Sequence, residues 1–307
     1  MTLTPPPGTR GRPAARDGAA GPTVERVIPF AFTAADSGGN DTRPYRDHVE
    51  SVYGALPDFS WLEEGSAVSY HDMARVIAGE LAAELADVDL VITVDGSPDC
   101  RHQSFPGCLL ADLMPGDPML LGISEQGVAG PFTALRVAYD RLADGSSHRA
   151  LVLVMEQSTL PPDGRAVRPA RDVAVALLLG PGGAMPLERP VVTVDRRNAA
   201  DVAGPAGDGA GMPYAPRADG VVAGAGLTGL GGQHGDPVLA RAEPGHPCAG
   251  VWLALAGLLE RADGRPGGQV LIADRDPVLP YHCGLLLTLP AGDPPALAAS
   301  RRKELVS

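Results

Sequence analysis

Few residues in this chain combine the side chains of chemistry with a backbone setting that could use them. Cys248 begins an apolar helical stretch and has His246 two residues before it, so its thiol stands where a helix dipole and an imidazole could activate it; a buried, inert cysteine is the competing reading. Asp99, Cys100 and His102 share a loop, with Cys108 just beyond, but their spacing matches no common zinc pattern and no metal is expected. His282 and Cys283 open a strand and read as structural, and His234 lies in a glycine-rich loop. The stretch DPMLLGISEQGVAGPFTAL, Asp117 to Leu135, reads as a buried strand (118–123), a tight turn (124–130) and a helix from Gly130. Such a junction aims backbone N–H groups and the positive end of the helix dipole into the turn, a setting that lowers the pKa of a thiol. Here neither cysteine nor serine occupies its point.

The elements that would position these residues are duplicated. Ala129-Gly130-Pro131-Phe132-Thr133-Ala134-Leu135 returns as Ala249-Gly250-Val251-Trp252-Leu253-Ala254-Leu255. Each copy continues to an Ala-Asp-Gly stop, then an apolar strand (150–155 and 270–273), then another (173–179 and 284–289). A repeated helix–strand–strand unit predicts an α/β fold of two similar halves. Ser69 with Asp72 resembles a capping box and opens a predicted helix over 69–86, whose stripe is Met73, Val76, Ile77, Leu81 and Leu85. Val88 to Val94 is near-continuously apolar, which suits a parallel strand covered on both faces. Shorter strands are expected at 27–32, 191–194 and 220–223, and a short helix at 106–113.

The 307 residues hold one large or two small cores, with residues 1–24 a disordered tail, 25–185 and 186–290 the two halves (the second abbreviated), and 291–307 a second tail. A net charge of −12 argues against nucleic acid or anionic membrane as partner. Apolar runs are strand-sized and the N-terminus lacks the core of a signal peptide, so a cytoplasmic protein is expected, its four cysteines free thiols. The glycines of 225–235 do not sit between a strand and a well-marked helix, so no nucleotide cofactor is expected.

In order and spacing these motifs resemble the thiolase superfamily, most closely its beta-ketoacyl-ACP synthase III branch. Val88–Pro98 (VDLVITVDGSP) is similar to the strand before that family's dimer-contact loop, Gly122–Leu135 to its nucleophile elbow, Pro244–Leu255 (PGHPCAGVWLAL) to its active-site loop and second central helix, and Gly267–Leu289 to its closing hairpin. The resemblance implies a duplicated five-layer α-β-α-β-α fold, usually dimeric. It also implies a Cys/His/Asn site in which the thiolate takes an acyl group from a thioester and the other two support decarboxylative condensation. This chain departs at all three positions: Val128 stands at the cysteine, Gly224 (within Asp219–Gly226, DGVVAGAG) at the histidine and His246 at the asparagine. Ser124-Glu125-Gln126 resembles the chain-length-factor subunits of aromatic polyketide synthases, where glutamine replaces the cysteine, with Gln126 two residues early.

The resemblance therefore implies a non-catalytic, chain-length-factor-like accessory subunit of fatty-acid-like or polyketide-type biosynthesis. Two other readings stay open: an acyltransferase using Cys248 and His246, and a homodimeric acyl-thioester-binding protein. Its partner would be a ketosynthase subunit or a second copy, with acyl carrier protein or acyl-CoA delivering the acyl group. The loop 95–105 would carry Phe105 toward the partner's acyl tunnel. A thiol placed at residue 128 is expected to have a lowered pKa.

Overall fold

The computed structural model describes residues 21–38, 43–54, 60–100, 106–160, 167–194, 218–227, 237–261 and 267–291. Its elements in chain order are β1 (Thr23–Ala31), α1 (Arg43–Tyr53), α2 (Ser60–Glu63), α3 (Tyr70–Glu80), β2 (Leu90–Asp95), α4 (Pro106–Leu113), β3 (Met119–Ser124), α5 (Ala129–Ala143), β4 (Ala150–Glu156), β5 (Val173–Gly180), β6 (Met185–Pro186), β7 (Val191–Val194), β8 (Gly220–Ala223), β9 (Val238–Arg241), α6 (Gly250–Glu260), β10 (Gly268–Arg275) and β11 (Tyr281–Leu289). Phe105, His102 and His234, the tails 1–20 and 292–307, and most of the linker lie outside the described residues.

Duplication is plain in the sheets. The first runs β3-β2-β4-β5-β1-β6 and the second β7-β11-β10-β8-β9. Read from β9, the second order repeats the first, with β9, β8, β10, β11 and β7 standing for β3, β2, β4, β5 and β1. Directions match too. β2 is parallel to β3 and β4, and β5 antiparallel to β4 and β1. β8 is likewise parallel to β9 and β10, and β11 antiparallel to β10 and β7.

Between the sheets lie the two central helices. α5 packs on β2 and β4 from one sheet and β7 and β11 from the other, and α6 on β1 and on β8, β9 and β10. Their echoed positions meet: the Phe132 and Trp252 rings lie 5.1 Å apart at 51°. Alternation along β4 shows how a continuous apolar run serves two layers. Ala150, Val152 and Val154 join the central core, while Leu151, Leu153 and Met155 join a second core under α3 and α4. The outer face of β8, β10 and β11 carries a small apolar cluster that includes Val221, Leu271 and Leu286. The crossover segments of the second half fall largely among undescribed residues.

Local expectations hold at the cap of α3: Ser69 accepts the Asp72 N–H, and the Asp72 carboxylate accepts the Ser69 N–H. The regular helix ends at Glu80, and 81–87 are turns that still bury Leu81 and Leu85. Three expectations need correction. β1 starts at Thr23, inside the tail assigned to 1–24, because Thr23 and Val24 pair with Gly180 and Leu179. β9, Val238–Arg241, had no place in the sequence reading. The strand before the elbow is not buried: β3 is a sheet edge, with Met119 43% and Leu121 38% exposed. An apolar run looks the same whether one neighbouring strand or two will cover it. Among the described residues no helix is long and apolar enough to cross a membrane.

Candidate functional site

The C-terminal ends of β2, β4, β8 and β10 and the N-terminal ends of α5 and α6 converge on one buried spot. The turn into α5 is a sharp one. Glu125 (φ 56°) and Gly127 (φ 52°) both take left-handed backbone, while Val128 is already helical and caps α5 without a side-chain bond. Val128 is buried in the central core, so the cysteine position of the resemblance holds a packed isopropyl group. Gln126 lies half-buried in the turn; its carbonyl accepts the Ala129 N–H, and among the described residues its side chain makes no hydrogen bond.

Three carboxylates that the sequence reading did not single out organise the rest. Glu156 ends β4 in phase with Val152 and Val154, so it points between the sheets and is fully buried. Its Oε1 accepts the Cys248 backbone N–H at 2.6 Å, and its Oε2 lies 3.2 Å from His246 Nδ1. His246 and Cys248 are thus brought together, but by Glu156 rather than by a bond to one another. The Cys248 thiol donates to the Gly127 carbonyl at 3.0 Å. Burial pushes this thiol well up, and the charges of Glu156, Asp276 and Asp274 add to the effect. The activated thiolate that helix start and histidine suggested is therefore disfavoured in this conformation.

Asp274 lies one residue before the end of β10, in phase with Val270 and Ile272 much as Glu156 is with Val152 and Val154 on β4. Its Oδ1 accepts the Arg275 N–H at 2.7 Å. Burial raises its pKa to about 7, with Asp276 and Glu156 contributing against its backbone hydrogen bonds. It also explains Gly224: a Cβ there would overlap the Asp274 carboxyl group, far inside the 3.0 Å that real Cβ atoms keep. The histidine position of the resemblance is filled from across the strand ladder.

Asp276, in the β10–β11 turn, reaches α5. Its Oδ2 accepts the Val128 N–H at 3.0 Å, and its Oδ1 accepts those of Val278 and Leu279 at 2.9 and 2.7 Å. On the other face of β2, Asp99 accepts the Tyr70 N–H at 3.3 Å and Gln157 accepts that of Cys100 at 3.2 Å. No cluster of three or more His, Cys, Asp or Glu among the described residues is arranged to hold a metal ion. A sequence signal for the carboxylates did exist: each duplicated strand, ALVLVME and GQVLIADR, carries an acid at or next to its C-terminal end, two residues beyond its last inward apolar side chain.

No family model matches the sequence, and no curated protein matches it. Solved structures do. ChlB3, described as an acyltransferase, superposes with a TM-score of 0.61 at 16% identity, over 89% of this chain and 99% of its own. The 3-oxoacyl-(acyl carrier protein) synthase III of Pseudomonas aeruginosa PAO1 gives 0.60 at 16% identity, over 89% and 100%. The priming beta-ketosynthase of the R1128 polyketide pathway gives 0.53 at 19%, over 92% and 100%. Such identities speak for architecture, and with the repeated sheets and paired central helices they establish that this chain has the thiolase-like fold of the 3-oxoacyl-(acyl carrier protein) synthase III group.

Proposed function

We propose that this protein is a non-condensing, ketosynthase-like accessory subunit, comparable to a chain-length factor, in fatty-acid-like or polyketide-type biosynthesis in the cytoplasm. One observation carries the reading: at the elbow a packed valine stands where a nucleophile would, and its N–H is bonded to the chain's own Asp276. Gly224, against Asp274, leaves no room for a histidine beside it. Decarboxylative condensation needs a thiolate at the elbow and donors for an enolate oxygen; Val128 stands in place of the first and Gly224 in place of one of the second, which supports the reading. The names of the structural neighbours, an acyltransferase and two ketosynthases, support thioester biosynthesis as the setting.

A subunit of this kind acts through its surface. β3 is an open edge, and Leu113, Met119 and Leu121 are exposed on and beside it, which suits pairing with a ketosynthase subunit or a second copy. The acyl carrier protein or acyl-CoA would then be served at the partner's site, with Gln126 and Phe105 as this chain's contributions to it. Light scattering, alone and mixed with an intact ketosynthase encoded beside it, tests this. A stoichiometric dimer or heterodimer is expected, and a stable monomer under both conditions would overturn it.

One observation favours a second reading. His246 with Glu156 behind it is an acid–base pair next to Cys248, the arrangement an acyltransferase would use. The raised thiol weighs against it in this conformation.

A further inference from the structure

The C-terminal half grips one peptide group of the elbow from both ends. The Gly127 carbonyl accepts a hydrogen bond from the Cys248 thiol, and the N–H of the same peptide, that of Val128, donates to Asp276. Asp276 is itself fixed. It is 7% exposed, its second oxygen is held by two backbone N–H groups, and its own N–H closes the hairpin on the Tyr281 carbonyl at 3.0 Å. The hairpin tip lies directly over the turn. A Cβ on Gly127 would overlap the carboxylate oxygen and would stand 3.4 Å from Leu279 Cδ1, so the close approach requires glycine as much as the left-handed φ does.

This placement has a chemical consequence. A free N–H at a helix N-terminus is the donor a thioester carbonyl oxygen needs as charge builds on it. A resident carboxylate takes that donor, and it puts negative charge where a thiolate or an oxyanion would have to form. Its field reaches thiols here, because Asp276 is among the charges that hold the Cys248 thiol up.

We propose that Asp276 is a built-in anion closing the elbow, so that two residues, Val128 and Asp276, together block thioester chemistry, and a thiol restored at residue 128 alone does not reopen it. The proposal rests on the reading of this turn as a disused acyl-thioester site. In a reopened site the thiolate at residue 128 would attack the thioester carbonyl. The resulting oxyanion would be held by the freed N–H and would collapse to an S-acyl enzyme. The carrier thiolate would leave and take up the proton given up by the attacking thiol.

The test compares Val128→Cys with Val128→Cys/Asp276→Asn and Val128→Cys/Asp276→Ala, all carrying Cys108→Ser to remove the exposed thiol. Iodoacetamide labelling of residue 128, followed by peptide mass at neutral pH, should be slower than for free cysteine in the single variant. Neutralising the carboxylate with Asn should raise the rate about tenfold or more, one unit of thiol pKa. Asp276→Ala, which also frees the N–H, should in addition give an S-acyl adduct with acetyl-CoA. Equal labelling in single and double variants would overturn the proposal. Faster labelling without an adduct would uphold the carboxylate's role and overturn the acyl-thioester reading beneath it. Hydrogen exchange of the unmutated protein is independent of variant folding: the Val128 amide should be protected, and free exchange would also overturn the proposal.

Discussion

Substituting Gly224 by alanine probes the most crowded point of the site. The added Cβ would overlap the Asp274 carboxyl carbon and both its oxygens, the end of a short side chain that can yield only by giving up its buried place and its hydrogen bonds. Asp274 is buried, and its Oδ1 accepts the Arg275 N–H. Overpacking a well-filled core costs about 1–3 kcal/mol. Displacing the carboxyl group also costs its backbone hydrogen bonds, about 1–2 kcal/mol for a group only partly charged at neutral pH. Gly224→Ala should therefore lose about 3 kcal/mol in urea denaturation at pH 7. Removing the obstacle should rescue it: in the cycle with Asp274→Ala, the double variant should be more stable than additivity allows by about 1.5 kcal/mol or more. A Gly224→Ala protein within about 0.5 kcal/mol of the parent, with additive effects, would refute the claim that Asp274 occupies the histidine position.

Further outcomes follow from the buried acids and the thiols. Asp274 and Asp95 are both held at about 7, against an ordinary 3.8, chiefly by burial. Each therefore keeps a proton in the folded state that it loses in the unfolded chain between about pH 4 and 7, so stability should fall as pH rises through that window, by up to about 1.4 kcal/mol per unit for each group. Asp274→Asn should flatten the slope of urea midpoints by one proton, and an unchanged slope would count against the assignment. Native iodoacetamide treatment should label Cys108, the exposed thiol, and leave Cys100, Cys248 and Cys283 untouched until denaturant is added. Glu156→Ala strands the Cys248 N–H and the His246 ring and should cost about 3 kcal/mol or more by thermal unfolding, whereas Glu156→Gln, which keeps an acceptor, should cost less than half as much.

What could be read in advance was whatever repeats or has a period. The echo of Phe132 in Trp252 announced two central helices, and in the fold those rings touch. Ser69 and Asp72 marked a cap because a capping box is local. The site was legible as two absences, Val128 and Gly224, and as the neighbouring pair His246 and Cys248, but its carboxylates were not, because they come from far along the chain. Asp276 reaches Val128 across 148 residues, and Glu156 reaches Cys248 across 92. The expectation that a thiol at residue 128 would be acidified rests on the helix dipole alone; the carboxylate bonded to that helix end, set against the dipole in the proposal above, lies 148 residues away in sequence and could not be foreseen. For β3 the sequence showed an apolar strand but not its cover: hydrophobicity reports that a strand will be covered, and not whether its own chain or a second one does the covering.

The central claim is that this thiolase-like chain performs no acyl-enzyme chemistry of its own. Intact-mass spectrometry of the purified protein after incubation with acyl-CoA and with acyl-carrier protein tests it most directly. No covalent adduct is predicted on any residue, whereas a stoichiometric acyl adduct mapped to Cys248 would contradict the account and make the His246–Glu156 pair the base of a working acyltransferase.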